Sequence, residues 1–297
     1  MPELPEIEAY IAALEPRVVS RELETVRVAS PSLLRTYAPP VEDAAGLVVE
    51  AVERLGKRIV FVLSDDLFLV VHLMVAGRFK WVEPGKAIPR KYGQAAFDFA
   101  DGTLLLTEAG TKRRASLHVI AGREALRALD PGGIEVEGAT KAEFKEALLA
   151  ERHTLKRALT DARFISGIGG AFADEIMHRA KLSPLQMNIN LDAAEIAFLH
   201  EAARSVLREW TRTRIDETGD GFPEEVTAFH PDMAVHGKYG EPCPVCGAPV
   251  QRIIYASRET NYCPGCQTAG KILADRSMSR LLKDDWPATL DELEGTA

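Results

Sequence analysis

Four cysteines near the C-terminal end constrain this chain more than any other feature: Cys243-Pro-Val-Cys246 and Cys263-Pro-Gly-Cys266. Two C-x-x-C knuckles sixteen residues apart put four thiolates on two tight turns, the arrangement of a tetrahedral zinc site. Two disulfides would use the same residues, but reducing cytosolic conditions disfavour them. Four protein thiolates leave no open coordination position, so the one zinc ion expected is structural. Between the knuckles, PVQRIIYASRETNY alternates as a β-hairpin does, with its turn near residues 256–259 and Arg258 projecting from the tip.

The other end carries a different signal. The chain starts Met1-Pro2-Glu3-Leu4-Pro5-Glu6. A small second residue permits removal of Met1, which would leave Pro2 as a free secondary amine. An α-amino group titrates near ~7.7–8.0, far below the ~10.4 of lysine, so a neutral fraction exists at physiological pH. Attack on a sugar aldehyde carbon gives an imine-type intermediate. From proline this is an iminium, already charged and ready to act as an electron sink. Glu3 can move the protons such chemistry needs. The same residues also suit a plain helix start, with proline in the first turn and acids at the positive end of the dipole.

Between these ends the pattern changes once. After a first helix over roughly residues 5–14, residues 20–120 read mostly as strands: LETVRVAS, GLVVEAVERLGKRIVFVL, LFLVVHLMVAGRFKWV, AAFDFA and GTLLLTEAG. That spacing predicts an antiparallel sandwich or barrel. DPGGIEVEGAT, residues 130–140, reads as the connection. Helical periodicity follows in KAEFKEALLAERHTLKRAL, GGAFADEIMHRAK and DAAEIAFLHEAARSVLREWTRTR. The expected fold is therefore α+β. Its parts are a β-sandwich with a leading helix (residues 1–130), a helical domain (141–235), the zinc-bound hairpin (236–270) and an acidic tail (271–297).

A net charge of −8 gives no general attraction to polyanions, yet a local basic face still neutralises phosphates. Lys112, Arg113 and Arg114 form one such cluster. His153, Lys156 and Arg157 form another, ahead of the turn Ser166-Gly-Ile-Gly-Gly170. Gly167, Gly169 and Gly170 let the backbone turn sharply into a helix whose exposed amides make an anion site, suited to a DNA phosphate. No apolar run is long enough to span a membrane, and the N-terminus lacks the basic-then-apolar layout of a secretory signal. The expected location is the cytoplasm.

PELPE at the start, a glycine-hinged helix pair in the middle and CPGCQ at the end together resemble the formamidopyrimidine-DNA glycosylase/endonuclease VIII family, from residue 2 to about Gln267. The resemblance implies a helix–two-turn–helix DNA clamp and a monomeric glycosylase/abasic-site lyase acting on damaged double-stranded DNA at a bacterial nucleoid. It implies Pro2 as nucleophile, Glu3 as the proton-transfer acid and Glu6 as second carboxylate. Lys57 and Arg258 become phosphate contacts, and Arg113, Arg114, Lys156, Gly169 and Gly170 lie along the DNA. Such enzymes flip the target nucleotide out of the stack and nick the strand by β,δ-elimination.

Three positions depart from the family pattern. Gly170 stands where an asparagine is usual. Val75 stands at the void-filling methionine, with Met74 one residue early. Arg113 and Ala115 stand at the arginine–x–phenylalanine wedge, and alanine cannot wedge into a base stack. Two other readings therefore remain open: an enzyme acting mainly on abasic sites or pyrimidine lesions, and a catalytically silent zinc-finger DNA-binding protein.

Overall fold

In the computed structural model, which describes residues 1–110, 112–223, 230–255, 258–273, 281 and 287–295, the apolar runs form strands of two antiparallel sheets. One has the order β1 (Glu22–Leu23), β3 (Leu47–Leu55), β4 (Arg58–Leu63), β5 (Leu67–His72), β9 (Ser116–Ala121). The other runs β2 (Thr25–Val28), β7 (Gly93–Phe99), β8 (Gly102–Glu108), β6 (Gly77–Val82). Strand β4 shows why nearly every residue is apolar: Ile59, Phe61 and Leu63 face the core between the sheets, while Val60 and Val62 join Phe68, Val70 and Leu126 on the outer face. Leu126 comes from α2 (Arg123–Arg127), so both faces of the strand are covered. The core centres on Phe61, stacked on Phe97 at 5.8 Å and edge-on to Phe79 at 6.3 Å.

Helix α1 (Leu4–Val18) starts at proline-rich sequence and buries Ile7, Tyr10, Ile11 and Leu14 against this core. Arg54 of β3 donates from Nε to Glu8 at 2.6 Å and fixes the helix to the sheet. Near its C-terminus, Arg17 donates to the carbonyls of Asp220 and Gly221.

The chain divides into two compact units, Met1–Pro131 with Glu209–Val226, and Gly132–Arg208 with Thr227–Ala297. Residues 209–226, read from periodicity as part of the helical domain, thus belong to the sandwich unit. Helical periodicity records that a face is buried, not what buries it.

The second unit holds α3 (Lys141–Leu149), α4 (Leu155–Thr160), α5 (Gly170–Arg179) and the first part of α6 (Ala193–Thr218). The single helix expected over residues 141–159 is broken between α3 and α4. Buried Asn188 supplies the reason: its amide donates to the carbonyls of Leu148 and Glu151, and its oxygen accepts the His153 N–H. The finger contributes the hairpin β10 (Gln251–Tyr255) and β11 (Arg258–Tyr262) and the short α7 (Pro264–Gln267). Of its expected turn, residues 256 and 257 lie outside the described residues. The tail folds back: Ile272 donates to the Ala288 carbonyl, Leu290 to that of Gly270, and α8 (Leu290–Gly295) follows. No described helix is long and apolar enough to cross a membrane.

Candidate active site and metal centre

In the sandwich unit, the first turn of α1 assembles the expected N-terminal residues. Glu3 is the N-cap, and the Glu6 carboxylate accepts its backbone N–H at 2.8 Å, half of a reciprocal capping box. Both acids are buried, at 4% and 7% exposure, and Pro2 is buried beside them. Lys57 sits in the two-residue turn between β3 and β4, within electrostatic reach of both carboxylates.

Burial lowers the Lys57 ammonium below its usual range, with Glu3 and Glu6 pulling the other way. The α-amine of Met1, the residue joined to Pro2, is likewise lowered below its ordinary 8.0, first by burial and then by Arg78 and Lys57, against Glu3 and Glu6. A lowered amine is neutral, hence nucleophilic, in a larger fraction of molecules at neutral pH. Pro2, Glu6, Ala9, Tyr10, Arg78, Arg214 and Pro223 line one cavity. Tyr10 packs edge-on to Phe79, and burial pushes its phenol up to about 12, so it stays neutral. His72, at the end of β5, is pushed down to about 4 by burial, with Arg58 and Lys57 adding to the effect. Its Nδ1 accepts the Met74 N–H at 2.9 Å, leaving the ring hydrogen on Nε2.

Arg78, Arg214, Tyr10 and His72 were not among the expected site residues. His72 and Arg78 flank the strand signal HLMVAGRF, but nothing in the sequence ties Arg214 to Pro2.

The basic loop after β8 is held from inside. Buried Glu108 accepts the N–H groups of Arg114 and Ala115 at 2.8 and 3.1 Å, and Arg113 donates to the Lys91 carbonyl. The Arg113 and Arg114 side chains are exposed, whereas Ala115 is 3% exposed. Val75, 62% exposed, is presented outward.

In the second unit, the glycine turn leads into α5 as anticipated from its composition. Gly167 takes φ +78°, a left-handed conformation that a side chain would strain, and Gly169 caps the helix. A Cβ on Gly170 would meet nothing within 4 Å. Lys156 is turned inward: its ammonium lies 2.7 Å from Asp174 and donates to the Glu259 carbonyl at 2.8 Å, tying α4 to α5 and β11. Arg258 opens β11, exposed and paired with Tyr255 beside the hairpin tip.

The four cysteine sulfurs converge. Cys246 and Cys263 are 3.3 Å apart, Cys243 and Cys266 3.9 Å. A Cβ at Gly265 would lie 3.0 Å from the Cys246 sulfur, so the knuckle closes only around glycine. Burial pushes the Cys266 thiol up to about 11 and raises Cys263 as well. The donor set fits zinc: four soft ligands on two turns, closed to substrate.

Comparison with known proteins agrees with this layout. The formamidopyrimidine-DNA glycosylase N-terminal domain matches residues 1–115, the H2TH domain of the same enzymes residues 129–219, and the zinc finger found in these enzymes and in IleRS residues 240–269. A formamidopyrimidine-DNA glycosylase of Geobacillus kaustophilus is 32% identical over 282 residues, covering 90% of this chain and 100% of the relative. An uncharacterised formamidopyrimidine-DNA glycosylase-like protein of Mycobacterium tuberculosis is 40% identical over 164 residues, 55% of this chain and 100% of its own length. The crystal structure of the Lactococcus lactis glycosylase bound non-covalently to DNA with an abasic site superposes with a TM-score of 0.79 at 25% identity, covering 90% of this chain and 99% of that one.

Proposed function

The chain belongs to the formamidopyrimidine-DNA glycosylase family of base-excision repair enzymes, and we propose that it is a bifunctional glycosylase/abasic-site lyase that works through the amine of Pro2. The observation that carries this reading is the burial of Pro2 beside the paired Glu3 and Glu6, with Lys57 and Arg78 close enough to lower the adjoining Met1 amine.

The steps follow from that geometry. The neutral Pro2 nitrogen forms a bond to C1′ of an everted deoxyribose. The glycosidic C1′–N bond breaks, and the departing base leaves with the bonding pair and takes up the proton that the Pro2 N–H gives up. The C1′–O4′ bond then breaks as the nitrogen lone pair forms the iminium, and Glu3 protonates the released O4′. The iminium acidifies the C2′ proton, whose loss expels the 3′ phosphate, and a second elimination expels the 5′ phosphate. Hydrolysis of the iminium then returns free Pro2. Glu6, through the Glu3 amide, keeps Glu3 in place. Lys57 and Arg258 hold phosphates flanking the lesion, and the glycine turn, Arg113 and Arg114 belong to the DNA-binding surface, while Lys156, turned inward onto Asp174 and the Glu259 carbonyl, braces α5 from behind. The zinc site, held by Cys243, Cys246, Cys263 and Cys266, fixes the hairpin that carries Arg258 and takes no part in bond making. The protein acts as a monomer on damaged duplex DNA in the cytoplasm, at the nucleoid of a bacterium.

One observation favours a shift in substrate range. Ala115 is buried and cannot enter a base stack, so the site is poorly equipped to hold a widowed base opposite a flipped purine. Abasic sites and oxidised pyrimidines thus join oxidised purines as substrates to be compared. Borohydride trapping on duplexes carrying 8-oxoguanine, a formamidopyrimidine, an oxidised pyrimidine or an abasic site tests both points. A covalent adduct is expected, and it disappears when an uncleaved N-terminal extension blocks the amine. DNA binding without an adduct on any duplex would replace this mechanism with the silent-binder reading. The rank order of trapping assigns the lesion class.

A further inference from the structure

Helix α5 does more than follow the glycine turn. Three of its side chains reach into the finger from one face, at positions i, i+1 and i+4. Asp174 accepts the Asn261 N–H at 3.1 Å and pairs with His236 at 2.8 Å. Glu175 accepts the N–H groups of Ala234, Val235 and His236, each at 2.9 Å. The third, His178, is 6% exposed and brings its Nε2 to 3.3 Å from the Cys243 sulfur. Its Nε2 and the sulfurs of Cys243, Cys263 and Cys266 all lie within 4.8 Å of one another.

We propose that His178 is a positioning residue of the zinc centre: its Nε2–H donates to the Cys243 thiolate and ties metal occupancy to the helix that begins at the glycine turn. The proposal rests on the structural zinc site assigned above. The direction of the bond follows from chemistry. A zinc-bound thiolate is an acceptor only, so a neutral imidazole at this distance must carry its hydrogen on Nε2. A ligand role for His178 is disfavoured because four thiolates already complete a tetrahedral shell. Four thiolates on one divalent ion also leave a net negative charge, shielded from water on the side of Cys243 and Cys263, which are 3% and 0% exposed, whereas Cys246 is exposed. An N–H donor aimed at one sulfur offsets part of that charge. The Cys266 amide does the same for Cys263 at 3.4 Å. His178 differs from that amide in its origin: it comes from α5, not from the finger. A ten-residue helix is stiff enough to carry a shift at His178 back to Gly170 and the phosphate-binding amides.

The experiment uses the full-length protein with His178→Leu, His178→Phe and His178→Gln, loaded with zinc and, separately, with cobalt. Leu and Phe remove the donor, and Gln restores an N–H. Metal release to a chelator should be about 10- to 100-fold faster in Leu and Phe, the usual cost of deleting an outer-shell partner, with Gln intermediate. The thiolate-to-cobalt charge-transfer band should move to lower energy in Leu and Phe and return towards wild type in Gln. Affinity for duplex DNA at saturating zinc should fall several-fold in the same order. Equal release rates and unmoved bands in Leu and Phe overturn the proposal. So does tetrahedral cobalt retained by Cys246→Ser, which would make the imidazole a ligand. If Leu does not fold, the Phe and Gln pair decides by the same readouts. Wild-type protein lacking stoichiometric zinc overturns the metal reading itself, a result distinct from a bound metal that ignores His178.

Discussion

The start of α1 and the cysteine finger both hold ionisable groups at fixed positions, and they do so by opposite means. Glu3 and Glu6 fix each other through a capping box that four consecutive residues can form. Their surroundings then come from far along the chain, with Lys57 on a hairpin turn, Arg78 on β6 and Arg214 on α6. The finger has the reverse economy. Its two knuckles are local, but each holds only half a coordination shell, and the geometry exists once both have met a cation. A mutual cap keeps its shape with any ligand; a thiolate cluster depends on its metal.

That contrast predicts the largest effect. Cys246→Ser should expel zinc and unfold the hairpin, because metal binding supplies about 10–16 kcal/mol of folding free energy to small zinc modules. Duplex binding should be lost with it. The sandwich unit contains none of the ligands, so its thermal transition should persist, seen as a calorimetric peak that survives chelation. A single transition lost as a whole would show that the two units are not independent in this sense.

A smaller effect probes the electrostatics at Pro2. Burial is the main cause of the lowered Met1 amine, and the Arg78 guanidinium adds to it; a Pro2 amine freed by removal of Met1 stands in the same cavity as Arg78. The amine attacks only when neutral, so the rate climbs as pH rises through its titration. Arg78→Met removes a cation that opposes protonation, which raises the amine's pKa. The acid limb of the single-turnover profile should therefore move to higher pH, with the rate at pH 6 reduced more than at pH 9. A limb that stays put, or moves down, would show that Arg78 does not set the amine.

The same contrast explains what the sequence made legible. Features completed by close neighbours were readable: the proline–glutamate start, the knuckles, the glycine turn and the period-two strands that became the sandwich. The cavity facing Pro2 was not, because Arg214 reaches it only after residues 209–226 leave the helical unit for the sandwich. The break between α3 and α4 was hidden for a related reason. Its cause is Asn188, a polar residue 37 to 40 positions away whose amide takes over the carbonyls a continuous helix would have used. Lys156 read as a surface cation because its partner Asp174 lies on the next helix.

The smallest predicted effect sits where backbone amides are proposed to carry the phosphate contact. Gly170 opens α5 at the end of the glycine turn, and a side chain there has open space. Gly170→Asn should therefore fold without strain and add one amide donor beside the helix N-terminus. A single hydrogen bond is worth roughly 0.5–1.5 kcal/mol net, and somewhat more when it meets a charged phosphate oxygen. Affinity for an abasic duplex should rise about three- to tenfold, with little change in its salt dependence, because no cation is added. Since backbone amides remain in both forms, wild type should already bind appreciably. If Gly170→Asn leaves affinity unchanged while the protein melts normally, the turn does not face a phosphate, and the DNA contacts of this unit must lie elsewhere along its basic residues.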